Sequence, residues 1–385
     1  MEIEVAVVGG GVVGLAVAAA LGRAGRQVIV LEREPALGRG VSSRNSEVVH
    51  SGIYYQPGSW KARLCVAGNE RLRALGAAGL VPFRATGKLI VATEPAERVM
   101  LEELLRLGEQ NGVPGLRLLE RREVKQLEPA VEALAAIWVP TAAAVDAAAL
   151  VRYLAAEARR QGALVLCQAG VMAVTPLSAG YRLHLATAAG EETLTARTVV
   201  NAAGLHADTL AALAGVDLEA AGYRLEWVKG RYAQLSARAA ARLQRHIYPV
   251  PAYVGIAPGA GRTAFAGLGV HATVSVDGRV RLGPDVEYLP ARVEDYSVPP
   301  AVASLFFQAA RRFLPFLEPE DVMPESAGIR PRRAVARQGF ADFVITEESN
   351  RGLPGWINLV GIESPGLTAA LPLADVVAEL VRKQD

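Results

Sequence analysis

The chain carries a glycine motif of the type that binds a dinucleotide. Gly9, Gly11 and Gly14 have the spacing G-x-G-x-x-G, and Glu32 stands 18 residues after Gly14. Glycines at these positions let the backbone and a helix N-terminus approach a pyrophosphate, and the later carboxylate can bind a ribose hydroxyl. The alternative is a glycine turn needed only for tight packing. The context favours a dinucleotide site, because an apolar strand pattern precedes the motif and an alanine-rich helix pattern follows it.

The five histidines are the second group of residues that could do chemistry. A neutral histidine is a suitable base near pH 7 for taking a hydroxyl proton. We expect His184, in an alternating pattern, to face solvent, and His206, after the turn "NAAG", to lie near the cofactor. His246 has no recognisable partner. His50 and His271 remain as candidate bases, although a lone histidine on a strand is often only a satisfied polar residue.

Two further glycine turns indicate which dinucleotide is bound. "TVVNAAGLHAD" places Gly204 directly after a strand pattern, and "GIESPGLTAALPLADVV" places a turn from Gly361 to Gly366 directly before a helix pattern. The N-terminus of such a helix would direct its positive end at the anionic charge that develops on a reduced flavin. Each turn alone fits an ordinary helix cap, but the two in this order favour FAD over NAD.

The elements that must position these residues follow from hydrophobic periodicity. Residues 3–33 have the pattern of strand, glycine turn, helix and strand, which is one βαβ unit. Ser59 is predicted to cap a helix. Another helix is predicted to begin at Asp146 and to end near Gly162. Residues 222–324 change to alternating strand patterns with Pro/Gly turns and one convincing helix.

We therefore predict an α/β protein with a discontinuous, Rossmann-like FAD-binding domain and a second, antiparallel-sheet-rich α+β substrate domain. The FAD-binding domain is assigned to residues 1–85, 140–215 and 325–385. The substrate domain is assigned to residues 86–139 and 216–324.

The composition excludes several classes of protein. A chain of 385 residues that is 51% hydrophobic can bury two cores, and a net charge of +2 provides no basic surface for nucleic acid. Cys65 and Cys167 lack the spacing of a disulfide framework or a metal site, so we predict no metal. The strand pattern that starts at Ile3 leaves no room for a signal peptide, and no apolar run is long enough to span a membrane. We expect a cytoplasmic protein and leave open a peripheral contact with the inner face of the membrane.

The order of these motifs resembles the D-amino-acid-oxidase-like (DAO) family of FAD-dependent oxidoreductases over essentially the whole chain. Four stretches are similar to its L-2-hydroxyglutarate dehydrogenase/oxidase branch: "NSEVVHSGIYYQPGSWKARLC", "GLGVHATVSVDGRVRLGPDVE", "AGIRPRR" followed by "DFVI", and "GIESPGLTAAL". Glycerol-3-phosphate dehydrogenases have a loosely similar loop, but the run from Ile53 to Cys65 fits the hydroxyglutarate branch better.

The resemblance implies oxidation of L-2-hydroxyglutarate, or a similar 2-hydroxy acid, to the 2-oxo acid by hydride transfer to flavin N5. Other substrates of the family remain alternatives: an amino acid, a secondary amine or glycerol 3-phosphate. A flavin-binding protein without turnover is an alternative from another class. The electron acceptor stays open between oxygen, a quinone and a carrier protein.

The resemblance also implies the catalytic and substrate-binding residues. His271 is the preferred base, His50 lines the flavin, and Arg330 in "AGIRP" binds a substrate carboxylate through its planar N–H groups. The substrate-binding candidates are Tyr54, Tyr55, Lys229 and Tyr253, of which the tyrosines are as often packing residues.

Three nearby arginines, Arg332, Arg333 and Arg337, could equally form a solvated face. Arg231 stands where the family usually has an acid, which puts the local substrate contacts in doubt. The implied cofactor-binding residues are Gly9, Gly11, Val12, Val13, Gly14, Glu32, Arg33, Ser43, Asn45, Ser46, Val171, Ala203, Gly204, Gly361, Ser364, Pro365, Gly366, Leu367 and Thr368.

Overall fold

The computed structural model describes residues 2–251 and 269–384. In that part of the chain the strands are β1 (Glu2–Val8), β2 (Val28–Leu31), β3 (Val48–Val49), β4 (Phe83–Arg84), β5 (Lys88–Ala92), β6 (Arg117–Glu120), β7 (Ala135–Val139), β8 (Ala143–Val145), β9 (Leu164–Leu166), β10 (Ala169–Pro176), β11 (Tyr181–Thr187), β12 (Gly190–Asn201), β13 (Leu225–Leu235), β14 (His246–Pro249), β15 (Ala272–Val274), β16 (Val280–Leu282), β17 (Glu287–Tyr288), β18 (Val322–Arg333), β19 (Val344–Glu348) and β20 (Leu353–Val360). The helices are α1 (Val12–Arg23), α2 (Trp60–Ala77), α3 (Pro95–Gln110), α4 (Arg121–Leu127), α5 (Ala147–Arg160), α6 (Ala207–Leu213), α7 (Leu218–Ala221), α8 (Ala237–Ala240), α9 (Ala301–Ala310) and α10 (Gly366–Arg382).

The first sheet has a parallel centre in the order β20-β12-β1-β2-β9. Its central strands are short apolar runs that are buried on both faces, as parallel strands are when other elements cover them. The predicted βαβ unit is confirmed as β1, α1 and β2, with Val8 beside Leu31 at the carboxyl end. The antiparallel hairpin β10–β11 joins the sheet through β12.

Helices α1, α2, α5 and α10 form the main packed layer on this sheet. Most residues of the alanine-rich α1 are buried, because both α5 and α10 pack against it. At the contact between α2 and α10, a Cβ atom on Gly68 would lie 1.9 Å from the carbonyl oxygen of Thr368. This close approach brings the start of α10 beside the segment after β3, which carries His50.

The second sheet has the order β17-β13-β16-β15-β14-β5-β7-β6, with β18 also paired to β13. Its described pairs are antiparallel except β5 with β14, so the predicted antiparallel-rich second unit is confirmed. Helix α9 packs against this sheet and buries Phe306. Strand β18 crosses residue 325, where we place a domain boundary, and the division into domains remains our proposal.

Two predicted helix starts are confirmed, and both are capped by a side chain. Ser59 Oγ accepts the N–H of Ala62 at 3.1 Å, and Asp146 Oδ1 accepts the N–H of Ala149 at 2.7 Å. Each bond satisfies one of the backbone donors that the first turn of a helix leaves unpaired. Among the described residues, no helix combines the length and the apolar character needed to cross a membrane.

Candidate active site

A large cavity of about 1320 Å³ lies at the carboxyl ends of the parallel strands, where Val8, Leu31 and Ala202 line its wall. Ligands of open α/β sheets bind at this edge. Another part of the wall comes from β13 and β18 of the second sheet. The volume exceeds the roughly 300–1,000 Å³ of a pocket for one drug-sized ligand, so a dinucleotide and a small substrate both have room.

The glycine turn holds its backbone against this cavity. Gly9 has a φ of +117°, and a Cβ atom there would lie 2.3 Å from the carbonyl oxygen of Ala202. A Cβ atom on Gly14 would lie 2.0 Å from the carbonyl oxygen of Gly9. Only glycine therefore fits at these two positions, which pack the start of α1 onto the strand ends and leave Gly11 on the cavity wall.

Glu32 closes the other side of the turn. Its carboxylate accepts the N–H of Gly10 at 2.7 Å and the N–H of Glu34 at 2.9 Å, and it lines the cavity. These two bonds fix the orientation of the carboxylate and leave it lone pairs for a ribose hydroxyl. Ser42 Oγ, which sequence reasoning missed, accepts the N–H of Val12 at 3.0 Å.

At the end of the cavity near Glu32, Arg33 is held by partners from two distant segments. Its Nη2 donates to Glu294 Oε1 at 2.7 Å, and its Nη1 lies 2.8 Å from His206 Nε2. Burial and the charge of Arg33 lower the pKa of His206 despite the opposing effect of Glu294. The structure thus brings His206 to the cavity, where we expected it beside the cofactor.

The C-terminal turn forms the wall next to His50. Ser364 and Pro365 line the cavity together with the first residues of α10, Gly366 and Leu367. The N-terminus of this long helix therefore faces the cavity and contributes a positive electrostatic potential there. This arrangement suits the anionic form of a reduced flavin ring.

Most of the predicted cofactor-binding residues converge on one cavity. Those that line it are Gly9, Gly11, Val12, Val13, Glu32, Arg33, Asn45, Ser46, Val171, Ala203, Gly204, Ser364, Pro365, Gly366 and Leu367. The glycine turn, the fixed carboxylate and the helix N-terminus fit FAD chemically.

Gly14, Ser43, Gly361 and Thr368 do not line the cavity. Ser43 Oγ donates to carbonyl oxygens of its own loop, at residues 39 and 40. Gly361 packs against Arg333, whose Cγ would lie 2.6 Å from a Cβ atom at that position. Gly14, Gly361 and Thr368 are buried and support the wall from behind, whereas Ser43 is exposed.

His50 follows β3 and lies in the cavity wall. Its Nε2 lies 3.3 Å from Ser364 Oγ, and its backbone N–H donates to Thr368 Oγ1 at 3.0 Å. Among the described residues, Nδ1 has no hydrogen-bond partner. Burial, followed by the positive charge of Lys88, holds the pKa of His50 well below its usual value. His50 is therefore neutral at pH 7 and able to accept a proton.

His271 precedes β15 and lines the same cavity. Its Nδ1 lies 3.0 Å from the carbonyl oxygen of Gly269. Because a carbonyl only accepts, Nδ1 carries the proton and Nε2 presents a lone pair. Burial is the main reason why the pKa of His271 falls to about 3. The ring also stacks on Tyr248 with centres 3.8 Å apart, which fixes its orientation.

Arg330 and Arg332 lie on the same face of β18, and both line the cavity. Arg330 Nη2 donates to the carbonyl oxygen of Asp285 at 3.2 Å, whereas its Nε has no hydrogen-bond partner in residues 2–251 and 269–384. Burial alone would raise the pKa of Glu363. Lys61, whose Nζ lies 3.0 Å from Glu363 Oε1, and the charges of Arg330 and Arg332 instead hold this pKa below its usual value. The site therefore offers guanidinium donors to an anionic ligand.

The other arginines of this segment have different surroundings. Arg333 donates to the carbonyl oxygen of Gly222 at 3.0 Å, and the exposed Arg337 pairs with Glu226 at 2.7 Å. The solvated-face interpretation fits Arg337 but does not fit Arg332, which reaches the cavity.

The substrate-binding candidates divide into three groups. Tyr54 and Tyr55 line the cavity, and burial raises the pKa of Tyr55 well above its usual value, so its hydroxyl stays protonated. The structure does not bring Lys229 to the cavity, because the buried ammonium group forms an ion pair with Asp295 at 2.7 Å. This corrects the prediction of a substrate contact at Lys229. Tyr253 lies outside the described residues.

Sequence reasoning missed several residues that shape this site. Lys61, Glu363 and Tyr232 line the cavity, and Lys88 is buried behind Tyr54. The available signal was weak: Lys88 is a charged residue at the start of an apolar strand, and Glu363 lies within the predicted C-terminal turn. Their contacts come from distant segments and have no local pattern.

Comparison with known proteins shows a family relationship over nearly the whole chain. A model of the "FAD dependent oxidoreductase" (DAO) family matches residues 4–380. Mitochondrial L-2-hydroxyglutarate dehydrogenase from Arabidopsis thaliana is 35% identical, with 98% of this chain and 83% of that protein covered. The human mitochondrial protein of the same name is 29% identical, at 99% and 89% coverage. L-2-hydroxyglutarate dehydrogenase from Indibacter alkaliphilus is 28% identical, at 100% coverage of both chains.

Solved structures show the same fold. L-alpha-glycerophosphate oxidase from Mycoplasma pneumoniae, reduced with dithionite and with FAD bound, matches with a TM-score of 0.86 at 24% identity, covering 99% of this chain and 95% of that chain. Glycine oxidase from Geobacillus kaustophilus matches with a TM-score of 0.78 at 22% identity, covering 100% and 95%.

Proposed function

The chain belongs to the DAO family of FAD-dependent oxidoreductases, and we propose that it oxidises L-2-hydroxyglutarate, or a similar 2-hydroxy acid, to 2-oxoglutarate or the corresponding 2-oxo acid. The observation that carries the proposal is full-length sequence similarity to proteins named for this activity. The cavity supports it independently, because it combines neutral histidines with guanidinium donors, and a 2-hydroxy dicarboxylate needs both.

When bound, FAD supplies the acceptor for the hydride that leaves the α-carbon of the substrate. The turn at Gly9 and Gly11 would hold the pyrophosphate of FAD, and Glu32 would hold a ribose hydroxyl. The N-terminus of α10 provides positive potential at the wall beside His50. Each of these groups is already fixed by contacts within the protein, so little rearrangement is needed on binding.

His271 accepts the proton of the substrate hydroxyl at Nε2. Its proton on Nδ1 is directed to the carbonyl oxygen of Gly269, which leaves the lone pair of Nε2 for the substrate. His50 is the second neutral histidine on the wall and lines the flavin, with Ser364 beside its Nε2. The fixed tautomer favours His271 as the base.

Arg330 binds a substrate carboxylate. Its guanidinium group lines the cavity, and a planar pair of N–H groups matches a carboxylate. Arg332 on the same face of β18 adds positive charge, and Tyr54 and Tyr55 offer hydroxyl groups.

The proposal includes oxygen, a quinone or a carrier protein as the electron acceptor. No recognisable sequence motif distinguishes these three, because access of the acceptor to the flavin depends on the shape of the cavity. We place the reaction in the cytoplasm, which agrees with the two free cysteines of the described chain, Cys65 and Cys167. A quinone acceptor, but not oxygen or a carrier protein, would require a peripheral contact with the inner face of the membrane.

Anaerobic mixing of the purified holoenzyme with L-2-hydroxyglutarate tests the substrate directly. The yellow absorbance band of the flavin should bleach, and 2-oxoglutarate should form in equal amount. D-2-hydroxyglutarate, glycerol 3-phosphate, glycine and L-proline serve as comparison substrates. Faster reduction by one of these would replace the proposed substrate, and failure of the whole set would favour a binding role without turnover.

A further inference from the structure

Lys88 is a buried lysine that the proposed reaction does not use. It begins β5, its side chain is 0% exposed, and Nζ has no hydrogen-bond partner within the described chain. The Nζ atom lies 4.5 Å from the ring centre of Tyr54 and 4.6 Å from that of Tyr248. Cation–π contacts offset part of the cost of burying an ammonium ion, but a buried charge without a carboxylate stays unfavourable.

The elements packed around Lys88 supply no carboxylate in the described part of the chain. The titratable groups that face it are Tyr54 before α2, Cys65 on α2, Tyr248 and His246 on β14, His50 after β3, and His271 before β15. Burial lowers the pKa of Lys88 to about 7, and Cys65 opposes this effect only in part. Burial in turn raises the pKa of the Cys65 thiol, which is neutral at pH 7.

Lys88 lies one aromatic layer behind the cavity. Tyr54, His50 and His271 line the cavity, and Tyr248 stacks on His271. A ligand anion against this wall would be separated from Nζ by the thickness of one ring. This anion would be the closest negative charge to Lys88, because the described protein supplies no carboxylate of its own there.

We propose that Lys88 is a positioning residue that serves as a proton-linked counter-charge. When an anionic substrate enters the cavity, Lys88 takes up a proton from solvent, and its ammonium ion stabilises the bound anion across the ring of Tyr54. The amine gains one proton, and no other bond changes. The inference rests on the proposed function, because it requires a carboxylate substrate at this wall.

The expected size of the effect follows from the separation of the charges. Two unit charges about 8–10 Å apart at an effective dielectric constant of about 20 shift a pKa by roughly one unit. Near pH 8, Lys88 should thus change from mostly neutral in the free enzyme to about half protonated or more in the complex. The same linkage predicts that loss of the amine weakens dicarboxylate binding by roughly twofold at pH 8 and by up to roughly tenfold well below pH 7, where Lys88 is already protonated in the free enzyme.

Titration calorimetry of the oxidised holoenzyme with glutarate tests the proposal. Glutarate has both carboxylates but no hydroxyl, so it binds without being oxidised. Binding near pH 8 is measured in phosphate and in Tris, whose ionisation enthalpies differ, and the difference in heat gives the number of protons taken up. Wild type should take up roughly half a proton, and Lys88→Met none, with roughly twofold weaker binding at that pH.

The matched control is Lys125→Met. Lys125 is on α4, half-exposed, and pairs with Glu132 at 3.0 Å, so its replacement should leave proton uptake unchanged. The buried histidines do not mimic the signal near pH 8, because their pKa values are lowered and they stay neutral. Uptake that persists in Lys88→Met, or no uptake in wild type, would overturn the assignment.

The pH dependence of uptake in wild type is the second measurement, and it applies even if Lys88→Met loses FAD or does not fold. Uptake that is largest between about pH 7 and 9 supports Lys88, whereas a maximum below pH 6.5 assigns the proton to a histidine and overturns the proposal. If L-2-hydroxyglutarate bleaches the flavin but glutarate binding takes up no proton, only the role of Lys88 fails. If no dicarboxylate binds, both the proposed function and the role of Lys88 fail.

Discussion

Replacement of Arg330 by alanine should weaken use of L-2-hydroxyglutarate by about two orders of magnitude and leave FAD bound. One nitrogen of the guanidinium group contacts the carbonyl oxygen of Asp285, and Nε lacks a partner among the described residues. Two charge-assisted hydrogen bonds to a carboxylate contribute about 1.5 kcal/mol each, or about 3 kcal/mol together. Because about 1.4 kcal/mol corresponds to tenfold, kcat/KM should fall roughly 100-fold.

Anaerobic stopped-flow reduction at increasing substrate concentration measures this loss, and the ratio of flavin to protein checks that the cofactor site is intact. Arg337→Ala is the matched control, because that exposed arginine lies near the end of the same strand and pairs with Glu226. It should remain within twofold of wild type. An Arg330→Ala enzyme with full flavin content and an unchanged KM would refute the carboxylate role.

Three further outcomes are expected. Gly11→Leu should abolish FAD binding. Even the Cβ atom of the leucine would lie 3.1 Å from Ser42 Oγ, and the rest of its side chain would enter the cavity. Stoichiometric flavin after purification would contradict this prediction. Thr368→Val should lower the free energy of unfolding by about 1–3 kcal/mol, because the buried N–H of His50 loses its acceptor. Urea unfolding measures the loss, and Thr368→Ser should restore most of it. The pKa values of His50 and His271 are lower in the folded protein than in the unfolded chain, so as pH falls the unfolded chain takes up protons first. The free energy of unfolding should therefore fall below about pH 6.5, by roughly 1.4 kcal/mol per pH unit for each histidine. Urea midpoints between pH 7 and 5 check this slope, and His271→Gln should reduce it.

The sequence was most informative where a signal lies within a few residues. The G-x-G-x-x-G turn, the helix starts at Ser59 and Asp146 and the antiparallel-rich second unit were predicted, and the structure confirms these elements. Helix caps and glycine turns depend on backbone groups at most a few positions away, so a local pattern contains nearly all the physics.

Two of the buried lysines, Lys229 and Lys88, show where prediction from local sequence ends. Lys229 was predicted to contact substrate, yet it pairs with Asp295, whereas Lys88 escaped notice and lies behind the substrate wall. Both are single lysines at apolar stretches, so their sequence surroundings do not distinguish them. Only the folded chain decides which of them finds a carboxylate.

The sequence by itself determined the βαβ dinucleotide unit, the family and the set of candidate side chains. The tertiary structure decided their chemical state. His50 and His271 lie far apart along the chain, and their pKa values fall because the fold buries both imidazoles near Lys88. Burial and charge proximity are sums over atoms from every packed segment, so no local sequence pattern contains them.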